Sequence, residues 1–174
     1  VSTHPALIFV DANLALGFSA EEHTLFRARS RGINSSLEIS RLGVQLTKRL
    51  LKGIDDSIPP DWLAEKLWKG SLFSVASDEL QRKRIQSILA LISGIVLAVN
   101  SRHDDGESPT GLSLRVVVLD LDFDALTDAQ RWAVYDLLNE LKFKRNIQFV
   151  LSSSEPGRIW DDCNFAVVLG KGQV

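Results

Sequence analysis

Three aspartates at alternate positions follow an apolar run and are the residues best placed to do chemistry. Asp120, Asp122 and Asp124 come directly after the aliphatic residues 116–119. Carboxylates can hold a divalent cation or exchange protons with a substrate. Because α/β proteins bind ligands where their strands end, Asp120 stands at a position where a ligand could bind, through magnesium or water. The pattern favours a strand-end Asp120 that only accepts backbone hydrogen bonds, and a cation held by all three carboxylates stays open as a further alternative.

The elements around these aspartates predict a parallel sheet. A β-branched run that is apolar throughout is typical of a central strand buried on both faces, so residues 116–119 are predicted as such a strand. Thr127 is predicted as the N-cap of an amphipathic helix over 128–142. Further strands are predicted over 147–151 and 165–169, and a short helical turn over 156–160. The apolar residues predicted along the helix are Trp132, Val134, Leu137, Leu138 and Leu141.

The first hundred residues are mostly helical in pattern. Residues 6–10 form a short apolar run that is either a strand or a buried turn. Helices are predicted over 19–29, from Ser35 or Ser36 to about Lys52, after Asp61 as N-cap, and from Leu80 to about Val99 after the capping sequence Ser77-Asp78-Glu79. Trp62 and Trp68 are predicted core anchors, with a partner groove as the alternative. The fold class is therefore α/β, a mostly parallel sheet with flanking helices and a helical subdomain in the N-terminal half.

Composition excludes several kinds of function. The 174 residues carry 45% hydrophobic and 24% charged residues, which suits one ordinary globular domain. A net charge of −2 gives no argument for nucleic-acid binding. The single cysteine, Cys163, excludes an internal disulfide and a cysteine-rich metal site, and the three histidines lack metal-ligand spacing. No basic region precedes the first apolar run, so no signal peptide is expected.

Four segments resemble, in the same order, parts of an ATP-binding-cassette nucleotide-binding domain. PALIFVDANLALG is similar to the segment after the Q-loop, and SDELQRKRIQSILAL to the signature helix. VVVLDLDFDALT is similar to Walker B with the D-loop, and IQFVLSSSEPGRIWDDCNFAVVLGKGQV to the switch strand and terminal strands. The resemblance implies a single domain over 1–174, with a helical subdomain over 19–70 and a core over 71–174. It also implies that Asp120 is the Walker B aspartate and Gln81 the signature glutamine.

The chemical residues of that family are largely replaced. The phosphate-binding pattern G-x-x-x-x-G-K-[ST] does not occur in the sequence, and the signature Ser-Gly-Gly-Gln is Asp78-Glu79-Leu80-Gln81. The catalytic glutamate is replaced by Leu121, which cannot accept a proton from an attacking water. The switch histidine would fall within 153–155, which is Ser-Ser-Glu, and the last D-loop aspartate is Thr127. Each lost group would act on the transferring phosphoryl, so no catalytic residue and no metal ligand are assigned.

The resemblance implies a non-hydrolysing interaction or regulatory domain of a transporter-like or other membrane-associated assembly. The domain would be cytoplasmic, and a peripheral association with the inner membrane is an open alternative. It would have a protein partner or a second nucleotide-binding domain, and it would bind no nucleic acid. No cofactor is expected, while weak binding of ATP and magnesium stays open at Asp120 and Gln81. The alternative is an active ATP-binding domain of such a transporter, with its Walker A outside this chain or in a partner subunit. A third alternative is a small-molecule pocket at the carboxyl edge of the sheet.

Overall fold

The computed structural model describes residues 6–11, 36–51, 60–69, 78–100, 115–152 and 163. Over these residues the strands are β1 (Ala6–Asp11), β2 (Arg115–Asp120) and β3 (Ile147–Leu151). The α-helices are α1 (Ser36–Leu51), α2 (Pro60–Leu67), α3 (Asp78–Asn100) and α4 (Asp128–Arg145). A single turn of 3-10 helix, Phe123–Ala125, connects β2 to α4.

The three strands form a parallel sheet in the order β1-β2-β3. This confirms the predicted α/β class and the central place of the strand that ends in Asp120. The chain steps across the sheet in one direction, so right-handed crossovers place both connections on the same face. Accordingly α3 packs against β1 and β2, and α4 packs against β3. Their side chains join Val10, Leu119 and Ile147 in one apolar core.

The central strand is not buried to the same degree on its two faces. Val117 and Leu119 are fully buried beneath the helices, whereas Val116 and Val118 are only partly buried. The prediction of burial on both faces is therefore wrong for one of them. The physical reason is the single direction of strand order, which brings the described helices to one face only.

Helix α3 approaches β1 closely through a glycine. A Cβ atom at Gly94 would lie 2.5 Å from Cγ2 of Val10, closer than carbon atoms pack. The helix runs unbroken from Asp78 to Asn100, which confirms the long helix predicted there. The absence of a side chain at Gly94 lets the middle of this helix lie directly on the first strand.

A buried tryptophan organises the packing of α1 on α2. Trp68 has no exposed surface, and its indole nitrogen donates a hydrogen bond to Oγ1 of buried Thr47 at 2.7 Å. A Cβ atom at Gly43 would lie 2.1 Å from the indole ring, so only glycine admits the ring here. Trp68 is confirmed as a core anchor. The side chain of Trp62 lies outside the described residues.

The start of α4 is fixed by a capping box that also reaches α2. Thr127 is the N-cap, as predicted, and its Oγ1 accepts a hydrogen bond from the backbone N–H of Gln130. The Gln130 side chain accepts from the backbone N–H of Thr127 at 3.0 Å. Its amide nitrogen donates to the backbone oxygen of Leu67 at 2.9 Å. One buried glutamine therefore satisfies backbone groups of two helices.

Two helix predictions are wrong in detail. Helix α2 begins at Pro60 rather than after an Asp61 cap, because the fixed φ of proline suits a first helical position. Asp61 lies in the first turn and pairs with Lys48 at 3.0 Å. Trp132 is 64% exposed and does not belong to the apolar face of α4, because it lies about 200° around the helix from buried Val134.

The remaining predicted elements lie outside the described residues: the helix over 19–29, the turn over 156–160 and the strand over 165–169. The same holds for the residues that were matched to the switch histidine. Within the part of the chain that the structure describes, no helix has the length and apolar character needed to cross a membrane.

Candidate functional site

The three parallel strands each bring one polar side chain to their common carboxyl edge. Asp11 ends β1 and lies opposite Asp120 at the end of β2 in the strand register. Ser152 follows β3, and its hydroxyl donates a hydrogen bond to Oδ1 of Asp120 at 3.1 Å. Asp120 is exposed and Asp11 is partly buried. This cluster, Asp11, Asp120 and Ser152, is called the edge cluster below.

Asp122 does not join the edge cluster, because the strand ends before it. Its Oδ1 accepts a hydrogen bond from the backbone N–H of Ala125 at 3.2 Å and so caps the 3-10 turn. Its Oδ2 lies 3.8 Å from Nζ of Lys83, which is also 3.7 Å from Glu79. Within the described ranges, no three acidic, histidine or cysteine side chains group so that they could hold a metal ion. The cation site of three adjacent aspartates is therefore not formed by these residues.

Gln81 lies in the first turns of α3, next to the loop that follows β2. It is partly exposed and lies one helical turn before Arg84, on the same side of the helix. Arg84 donates a hydrogen bond to the backbone oxygen of Ala125, and Ser87 donates to that of Asp122 at 3.4 Å. Partial burial lowers the pKa of the Arg84 guanidinium from its ordinary value. Gln81 belongs to the helix that packs on the buried side of β2, whereas Asp120 alternates with buried Leu119 and projects to the other side of the sheet.

Leu121, the residue after Asp120, is directed into the core. It is 5% exposed and belongs to the same apolar cluster as Leu119 and Phe123. Asp120 therefore lies at an exposed edge, whereas the aliphatic side chain of Leu121 packs in the protein interior. Substituting a carboxylate at this position would bury a charge among aliphatic side chains, which is strongly unfavourable.

A row of apolar side chains leads away from the edge cluster along the face that the described helices leave uncovered. Phe9, Val118 and Val150 are in register across the three strands, and the next row consists of Leu7, Val116 and the exposed polar Gln148. Leu7 is 70%, Phe9 60% and Val150 51% exposed. The five apolar residues of these two rows are called the open face below. Since side chains alternate along a strand, Asp11 and Asp120 project on the same side as the open face.

The sequence predicted Asp120 but missed the two residues beside it. Asp11 follows the apolar run ALIFV just as Asp120 follows VVVL, and this repeated pattern was the available signal. Ser152 was interpreted as a loop serine, and nothing local distinguishes it from its serine neighbours. The edge cluster can accept hydrogen bonds, pair with a basic group or hold a hydrated cation through its carboxylates.

Comparisons with known proteins return no relative. No family model matches the chain, and no curated protein and no solved structure matches it either. The function of this chain must therefore be inferred from its own residues.

Proposed function

We propose that this chain is a degenerate module of the ATP-binding-cassette nucleotide-binding type that acts as a non-hydrolysing interaction or regulatory domain. It would serve a transporter-like or other membrane-associated assembly on the cytoplasmic side. Its partners would be proteins: a second nucleotide-binding domain, or the membrane-embedded part of the assembly.

The observation that carries this proposal is the pair Asp120 and Leu121. Asp120 ends the central strand, as a Walker B aspartate would, while Leu121 lies in the apolar core. A leucine there can neither orient a water nor take its proton. For comparison, removal of one preorganised donor from an active site costs about 2.7–4 kcal/mol of transition-state stabilisation. A domain that keeps the sheet and lacks this group is suited to binding rather than to turnover.

The arrangement of the elements supports the same proposal. The long helix α3, matched to the signature helix, packs under β1 and β2, and its first turns contact the loop after Asp120. The strand matched to the switch strand, β3, lies next to β2 and brings Ser152 to Asp120. Glu79 stands where the resemblance expects a glycine that admits phosphate, and its carboxylate would repel an anion.

The second candidate is an ATP-binding domain that receives its phosphate-binding loop from outside this chain. The specific observation in its favour is the exposed Asp120 carboxylate beside Asp11 and the Ser152 hydroxyl. Such a polar edge can hold a hydrated magnesium ion. Under this alternative, nucleotide affinity depends on Asp120, whereas the proposed role does not require any affinity.

Calorimetric titration with ATP and magnesium, followed by a phosphate-release assay, distinguishes the two. We expect neither micromolar binding nor turnover from the wild-type chain. Asp120→Asn is the diagnostic variant, and Asp136→Asn, at an exposed position of α4, is its matched control. Turnover or micromolar binding that Asp120→Asn abolishes and Asp136→Asn leaves intact would overturn the proposed role in favour of the second candidate.

A further inference from the structure

We draw no further inference here: the strongest candidate, the open face with its exposed Leu7, Phe9 and Val150 on the uncovered side of the sheet, carries none, because nothing in the described part of the chain shows what covers it.

Discussion

The two faces of the sheet are built from the same residue types and have different environments. On the covered face, Val10, Val117 and Leu119 are fully buried beneath α3 and α4. On the open face, Leu7 and Phe9 expose most of their surface, although they alternate with the buried residues along one strand. The two faces do not differ in residue type. They differ because both crossover helices pack on the same one of them.

This difference separates the side chains that stabilise the fold from those that contribute little to it. Apolar side chains that lose contact with water on folding stabilise the fold, at about 25 cal/mol for each Å² buried. The exposed side chains of the open face contribute little to folding, because they lose little contact with water. The edge cluster projects on the same side of the sheet as the open face, and its Asp120 is exposed.

Leu119→Ala should have the largest effect on stability of the substitutions considered. Leu119 is fully buried at the centre of the covered face, and truncation of such a leucine costs about 2–5 kcal/mol in the free energy of unfolding. Urea denaturation followed by circular dichroism measures the loss. Val150→Ala, on the open face of the neighbouring strand, is the comparison and should cost much less. Equal losses would contradict the division between the faces.

Gln130→Leu should have the next largest effect, because it breaks a polar tie within the helical layer. It leaves the backbone oxygen of Leu67 and the N–H of Thr127 without their partner, at about 1–3 kcal/mol for a buried group. In Gln130→Glu one carboxylate oxygen can still accept from the backbone N–H of Thr127. The other carboxylate oxygen replaces the amide nitrogen and faces the carbonyl oxygen of Leu67. The carboxyl group that this second substitution introduces would have a raised pKa in the folded state, because it is buried and faces a carbonyl oxygen. Its loss of stability should therefore be greatest at neutral pH and shrink as the pH falls and the carboxyl is protonated.

A pH series of urea denaturation curves checks this sign. If the Gln130→Glu variant became less stable relative to wild type as the pH fell, the hydrogen bond from the side chain to Leu67 would not be the interaction that matters. Gln130→Leu has no group that titrates and serves as the reference for the pH dependence of the rest of the chain.

Much of the fold could be predicted because its causes are local. The apolar run before Asp120 predicted a central strand, and Thr127 predicted the start of α4, since a cap contacts only the next three residues. Trp132 was wrongly predicted on the apolar face of α4, because the prediction followed the hydrophobicity of the residue and not its position around the helix. Asp61 was predicted wrongly because proline at a first helical position competes with an aspartate cap.

The candidate site could be predicted only in part, because it depends on contacts between distant segments. Asp11 and Asp120 become neighbours through the order of the strands. Lys83 reaches Asp122 only once α3 lies across the loop after β2. No local pattern reveals which face the helices leave open. The assignment of Asp120 and Gln81 to Walker B and signature positions stays a prediction, since it depends on a resemblance of pattern.

Gly94→Ala should have a smaller effect and sharpen the account of the covered face. The added Cβ atom would meet Cγ2 of Val10 at 2.5 Å, and overpacking of this kind costs about 1–3 kcal/mol. Alanine is also the better helix former by about 1 kcal/mol, so the net loss should be about 1 kcal/mol. In the double variant Val10→Ala/Gly94→Ala the close contact disappears. The loss of stability measured for this double variant should therefore be smaller than the sum of the losses measured for the two single variants. Strict additivity would show that α3 does not lie on β1 through Gly94.

Phe9→Thr should have the smallest effect on stability, below about 1 kcal/mol, because threonine keeps the strand propensity and little buried surface is lost. Urea denaturation measures the difference. A substitution that spares folding is what an exposed side chain predicts. If Phe9→Thr instead lowered the free energy of unfolding as far as Leu119→Ala does, Phe9 would be covered within the folded chain. The sheet would then have two stabilising faces, and the edge cluster would lie between two layers of the same protein.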